Sequence, residues 1–194
     1  NCVLNAGELV LIDAGCEYQH YAGDITRTFP VDGRYSAAQK EIYNIVLAAN
    51  LAAIDLCRPG EHFNAPHEAA VEVMVEGLIE LGILHGDADE LIADGSYLLF
   101  SPHKSSHWLG IDVHDVGEYR FHDEWRPLEP GMVLTIEPGI YISRGTASAQ
   151  VPEQYIGIGI RIEDDVLITH YGCDVLSKSI AKETSAIELL MQAP

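Results

Sequence analysis

The hydrophobic and polar positions change period three times along the chain. Residues 8–14, ELVLIDA, form an apolar run that ends at the turn former Gly15 and predict a buried strand. CEYQHYAG and DITRTFPV predict two more short strands, with turns near Gly15 and Gly23. Ser36 then opens a helix. Ser36 and Gln39 make the S-x-x-Q pattern, in which the two side chains satisfy unpaired N–H groups of the first turn. This helix is expected to reach about Cys57 and to stop at Arg58-Pro59-Gly60, and a second should run from near Asn64-Ala65-Pro66 to about Leu81-Gly82. Beyond residue 105, HWLGIDVHD, MVLTIEPGIYI and IGIGIRIEDDVLIT alternate and are rich in β-branched residues, so strands are predicted. A polar loop (residues 143–155) separates the last two, and SAIELLMQ predicts a short closing helix. Strands, two helices and more strands imply an α+β fold, a mostly antiparallel sheet with helices on one face.

Strand parity assigns faces. Ile158, Ile160 and Ile162 share one face, which should back onto core, whereas Gly157, Gly159, Arg161 and Glu163 share the other. The two glycines leave room for something to approach the backbone, or mark a bulge or tight strand packing. Val133, Thr135 and Glu137 share a face, as do Asp24, Thr26 and Thr28.

Four acids therefore fall inside runs that otherwise read as core strand: Asp13 ending LVLIDA, Asp24 opening DITRTF, Glu137 in VLTIEPG and Glu163 after GIGIRI. An ionised carboxylate there is costly unless it meets a cation or several hydrogen bonds. Each has a local reading: Asp13 and Asp24 as turn caps, Glu137 as a strand end before Pro138. Four together point to a shared cation site. Three histidines lie in HKSSHWLGIDVH. His103 and His107 are four apart and fall on one side, whereas His114 has the opposite parity and can join them only if the chain bends, which Gly110 permits. His20, His62, His67, His85 and His170 have no patterned neighbours and read as surface or core residues, and His122 as solvated.

The 194 residues suit one domain or most of one, and the 11 basic against 30 acidic side chains give a formal charge of −19. That balance argues against nucleic acid or an anionic membrane as partner. No apolar run is long enough for a transmembrane helix. Cys2, Cys16, Cys57 and Cys173 include no CxxC pair, so reduced thiols in a cytoplasmic setting are expected. The chain begins at Asn1 without an initiator Met and is expected to be part of a longer protein.

Four carboxylates and one histidine form a hard ligand set, suited to divalent manganese, cobalt, iron or zinc. Two carboxylate-bridged ions fit better than one, since four acids and two dications balance in charge. Such a pair lowers the pKa of water and polarises a carbonyl, so metal-assisted hydrolysis is the predicted class, with nearby histidines moving protons. Arg161 either orients a metal-bound acid or forms a plain buried salt bridge.

LVLIDAGCEYQHYAGDITRTFPVDG, HWLGIDVHDVG, LEPGMVLTIEPGIYI and PEQYIGIGIRIEDDVLIT, in this order, resemble the pita-bread metallopeptidases, and among them the aminopeptidase P (Xaa-Pro aminopeptidase) group. The resemblance implies a pita-bread (creatinase/aminopeptidase) fold whose N-terminal part is missing, with residues 1–194 an incomplete C-terminal catalytic domain. It implies two divalent ions, usually manganese, held by Asp13, Asp24, His107, Glu137 and Glu163. Asp24 and Glu163 would bridge, Asp13 would complete one ion, and His107 with Glu137 the other. It makes His114 the histidine that assists the transition state, His103 a substrate-side histidine and Arg161 a supporting arginine. Tyr141 would line the substrate pocket, though a strand tyrosine can equally be core. The implied reaction removes the N-terminal residue of a peptide whose second residue is proline, in a protein that assembles as a homo-oligomer when whole. Prolidase shares the five ligands. A metal-free peptide-binding module, a methionine aminopeptidase and an acidic structural domain fit the residues less well.

Overall fold

The computed structural model describes residues 2–145 and 150–192. Among them, all strand pairings are antiparallel. Strands β1 (Leu9–Ala14) and β4 (Ile25–Pro30) form one ribbon, joined through the small hairpin of β2 (Glu17–Tyr18) and β3 (Tyr21–Ala22). Gly15 is required at the turn between them: a Cβ there would lie 1.5 Å from the Gly23 carbonyl oxygen. The expected burial of 8–14 is not met at its outer end. Ile12 is 48% exposed and Asp13 is also exposed, because β1 has a sheet partner on one side only among the described residues.

Helix α1 (Ala37–Asp55) begins at the predicted cap, with both halves of the capping box formed by Ser36 and Gln39. Helix α2 (Ala65–Glu80) carries Pro66 in its first turn, where a missing N–H costs nothing. Ile42, Val46 and Ala53 of α1 are fully buried with Val75 and Leu78 of α2. A leucine-sized side chain buried in this way contributes about 1.5–3 kcal/mol. Helix α1 also packs on the strands of the second ribbon, which places the helices behind the sheet as expected. Helix α3 (Ala88–Ala93), 3₁₀ turns at Ser96–Leu99 and Glu153–Tyr155, and the hairpin of β5 (Arg120–Phe121) and β6 (Glu124–Trp125) were not expected from the pattern; they are too short to show a period. No helix among the described residues is long and apolar enough to cross a membrane. The predicted loop 143–155 falls partly outside the described residues.

The second ribbon is built from MVLTIEPGIYI and IGIGIRIEDDVLIT, and both runs are interrupted, the first at Glu137 and Pro138, where a strand end is one of the local readings. The first is split into β7 (Val133–Ile136) and β8 (Gly139–Tyr141), the second into β9 (Gly159–Arg161) and β10 (Asp164–Ile168). Strand β10 also pairs with β11 (Cys173–Val175). Pairs such as Ile140 with Ile160 and Ile136 with Asp164 keep one unshifted register through the break, so Glu137 lies opposite Glu163 where the ladder opens. Pro138 cannot donate to the ladder, but its carbonyl still accepts from Ile162 N–H at 3.3 Å. HWLGIDVHD likewise forms no regular strand. Its first part lies along β7, with Thr135 N–H donating to the His107 carbonyl and Leu109 N–H to that of Val133, while His107 N–H goes to the Thr135 hydroxyl. The ladder is therefore only half made. The chain then turns at Gly110, where a Cβ would collide with the Asp115 side chain. Helix α4 (Thr184–Met191) closes the chain as predicted.

Candidate metal centre

The two ribbons meet at their open points. Glu163 N–H donates to the Thr26 carbonyl at 3.0 Å, and the Thr28 hydroxyl bridges the Arg161 N–H and carbonyl. This brings Asp24, His107 and Glu163 together, with ligand atoms all within 4.8 Å of one another. His107 Nε2 is 3.5 Å from Asp24 Oδ2 and 3.4 Å from Glu137 Oε1. Asp13 lies close enough to Asp24 to hydrogen-bond with it and to raise its pKa. All five residues singled out in the sequence thus converge on one place.

The histidine tautomer tests whether this place suits a cation. His107 Nδ1 is 2.9 Å from the Trp108 carbonyl, which can only accept, so Nδ1 carries the proton and Nε2 presents a bare lone pair. That lone pair faces the carboxyl groups of Asp24 and Glu137, an arrangement that a metal ion would satisfy.

Around the acids runs a second set of bonds. Arg161 donates from Nη2 to Asp13, from Nε to the Thr26 hydroxyl at 3.1 Å and from Nη1 to the Tyr141 hydroxyl at 3.1 Å. The Thr26 hydroxyl in turn donates to Glu163 Oε2 at 2.6 Å. Arg161 therefore orients Asp13 directly and touches Glu163 only through Thr26. Tyr141 donates to His103 Nε2 at 2.8 Å, and His103 Nδ1 donates to the Lys104 carbonyl. The bend at Gly110 puts the His114 ring edge-on to His107, centroids 4.3 Å apart. A cavity of about 780 Å³ opens beside these groups. Phe63, Tyr119 and Trp125 give it an aromatic side, and Lys104 and Arg120 add cationic lining.

The model of metallopeptidase family M24 matches residues 1–170. The chain belongs to metallopeptidase family M24. It is 56% identical over 192 residues to the Xaa-Pro aminopeptidase of Escherichia coli, covering 99% of this chain and 43% of that protein. It is 46% identical to Xaa-Pro aminopeptidase 3 of Dictyostelium discoideum, over 98% of this chain and 35% of the relative. Aminopeptidase PepP of Pseudomonas aeruginosa superposes with a TM-score of 0.94 at 54% identity, over 98% of this chain and 43% of that one. A zinc-substituted Escherichia coli aminopeptidase P in complex with product superposes at 0.92 and 56% identity, over 98% and 42%. The fold is the pita-bread fold, and the chain spans less than half the length of these relatives.

The electrostatics of this M24 site follow from crowding Asp24, Glu137 and Glu163 into a shielded place beside the exposed Asp13. Burial first, then the neighbouring carboxylates, pushes Asp24 up to about 6, Glu137 to about 7 and Glu163 to about 8. Burial lowers the pKa of His103 and His107 and so favours their neutral rings.

Several contributors were not singled out from the sequence. His67, one of the histidines read as surface or core, is buried and also lines the cavity. Ser105 N–H donates to its Nδ1, and burial lowers its pKa to about 4. Asp165 accepts from Asp24 N–H at 3.2 Å and so fixes that backbone. Arg27, 3% exposed, donates to the Glu163 carbonyl at 2.5 Å and to Asp164. Asp164 and Asp165, which follow Glu163 in EDD, had a visible cue as further acids in an apolar run.

Proposed function

We propose that this chain is the metal-holding part of an Xaa-Pro aminopeptidase, a hydrolase that removes the N-terminal residue from peptides with proline in second place. The single observation that carries the reading is the gathering of Asp24, Glu137 and Glu163 around Nε2 of His107 beside an open cavity. Similarity to the Xaa-Pro aminopeptidases supports the substrate class.

Asp24 and Glu163 would bridge two divalent ions, manganese by preference. Asp13 would complete one ion, and His107 with Glu137 the other. When bound, such a pair supplies Lewis acidity toward the scissile carbonyl and lowers the pKa of water. Arg161 holds the Asp13 carboxylate in position. His114, next to His107 and at the mouth of the cavity, donates a hydrogen bond to the developing oxyanion or passes a proton to the leaving amine. His103, steadied by Tyr141, lines the substrate side of the cavity. The aromatic surface of Phe63, Tyr119 and Trp125 suits the prolyl ring, which has no N–H to satisfy.

Residues 1–194 would form the C-terminal catalytic domain, incomplete on its N-terminal side, of a cytoplasmic homo-oligomer. The four cysteines, all free, accord with a reducing compartment. The test assays the intact protein on an X-Pro-Pro tripeptide and on Gly-Pro, with and without chelator. Manganese-dependent cleavage of the tripeptide is expected. Cleavage of the dipeptide alone would make it a prolidase, and peptide binding without bound metal would make it a binding module.

A further inference from the structure

Asn50 lies in the middle of α1 and is fully buried. A polar side chain at that depth is informative, because every donor and acceptor it carries needs a partner. Asn50 finds three. Its Nδ2 donates to the Ile136 carbonyl at 3.1 Å and to the Ile162 carbonyl at 3.5 Å, and its Oδ1 accepts from Lys182 Nζ at 2.8 Å. The orientation of the amide is forced: turned over, its oxygen would face two carbonyls and its NH2 an ammonium.

The two carbonyls are not arbitrary. Ile136 and Ile162 immediately precede Glu137 and Glu163, the acids that oppose each other where the second ribbon opens. Two carbonyls that flank the break in the ladder are thus tied together from behind by one side chain. Lys182 continues the tie, since its Nζ also reaches Asp164 Oδ2 at 2.7 Å. Asp164 further accepts from Arg27 and from the Ser177 hydroxyl, and Arg27 donates to the Glu163 carbonyl. A buried chain of side chains therefore holds both faces of the gap.

We infer that Asn50 is a positioning residue, docked by Lys182, that holds the two strand breaks in register so that Glu137 and Glu163 present their carboxylates to the same pair of ions. The inference rests on the proposed dinuclear centre. Neither residue enters the cavity, so the effect passes through the backbone of the two acids.

The test uses the intact protein, stripped with chelator and titrated with Mn²⁺ by calorimetry, with affinity expressed per folded molecule. Asn50→Ala should weaken Mn²⁺ by about 10-fold or more, in the range that loss of supporting bonds around a metal site produces. It should lower kcat more than it raises KM. Lys182→Met should move both quantities in the same direction by less, and the double variant should be no worse than Asn50→Ala alone. Leu78→Ala, in the core of α2, is the control for lost stability and should leave Mn²⁺ affinity unchanged. Wild-type affinity in Asn50→Ala overturns the inference, as does an equal affinity loss in Leu78→Ala. If Asn50→Ala does not fold, Lys182→Met decides by the same measurement. A wild-type protein that takes up no Mn²⁺ would instead remove the proposed centre itself.

Discussion

Glu137 and Glu163 stand directly opposite each other in one antiparallel ribbon, at the point where its ladder opens. Like charges across a strand pair are unfavourable, and burial makes these two worse. Each has moved toward protonation, Glu163 to about 8 through burial first and then through Glu137 and the two aspartates. Glu163→Gln removes one of the facing charges and keeps the shape. The variant should fold, should keep the hydrogen bond from Thr26, and should lose tight uptake of the ion pair together with peptidase activity. Metal analysis after dialysis is the check; two ions retained at wild-type affinity would contradict the assignment of Glu163.

The metal-free protein should lose stability as pH rises from 6.5 to 8. Between its ordinary value of 4.5 and about 8, folded Glu163 holds a proton that the unfolded chain has released, and Glu137 does the same up to about 7. Raising pH through that window therefore favours unfolding. His67 works in the opposite sense, but only between about 4 and its ordinary 6.5, so above 6.5 the glutamates act without it. Melting curves in chelator at pH 6.5 and pH 8 test the slope. Mn²⁺ at 100 times its Kd should add about 2.7 kcal/mol at each site.

Arg161 makes three bonds with one planar fork, to Asp13, Thr26 and Tyr141. A lysine ammonium cannot reproduce that geometry. Arg161→Lys should reduce activity by about 10–100-fold, as loss of a bond that orients a metal-binding acid does. Tyr141→Phe should cost less, because Asp13 and Thr26 remain held. Steady-state kinetics on the tripeptide separate the two; an Arg161→Lys enzyme at full rate would exclude the orienting role.

The capping box at Ser36 is remote from the centre in role. Ser36→Ala should destabilise the protein by about 1 kcal/mol and leave Mn²⁺ affinity where it was. Chemical denaturation with a parallel metal titration reads both quantities.

Local rules made part of this molecule legible in advance. The cap of α1, the extents of α1 and α2, the turn at Gly15, the closing helix and the apolar face of Ile158, Ile160 and Ile162 each depend on neighbours within a few residues, and each appears in the structure. Acids in apolar runs marked Asp24, Glu137 and Glu163 because burying charge is costly wherever it happens, and the same pattern marked Asp13, which is exposed.

Other features needed the chain to be brought together in space. Alternation alone could not show that both long strands break at Glu137 and Glu163, since a gap in a ladder depends on what faces it. Nor could it show that Arg161 serves Asp13, that His67 and Trp125 line the cavity, or that Asn50 ties two carbonyls from behind. The order of residues determined which groups cannot rest easily in a core. Only the tertiary structure decided which of them share one point, because partners far apart along the chain carry no local period to read.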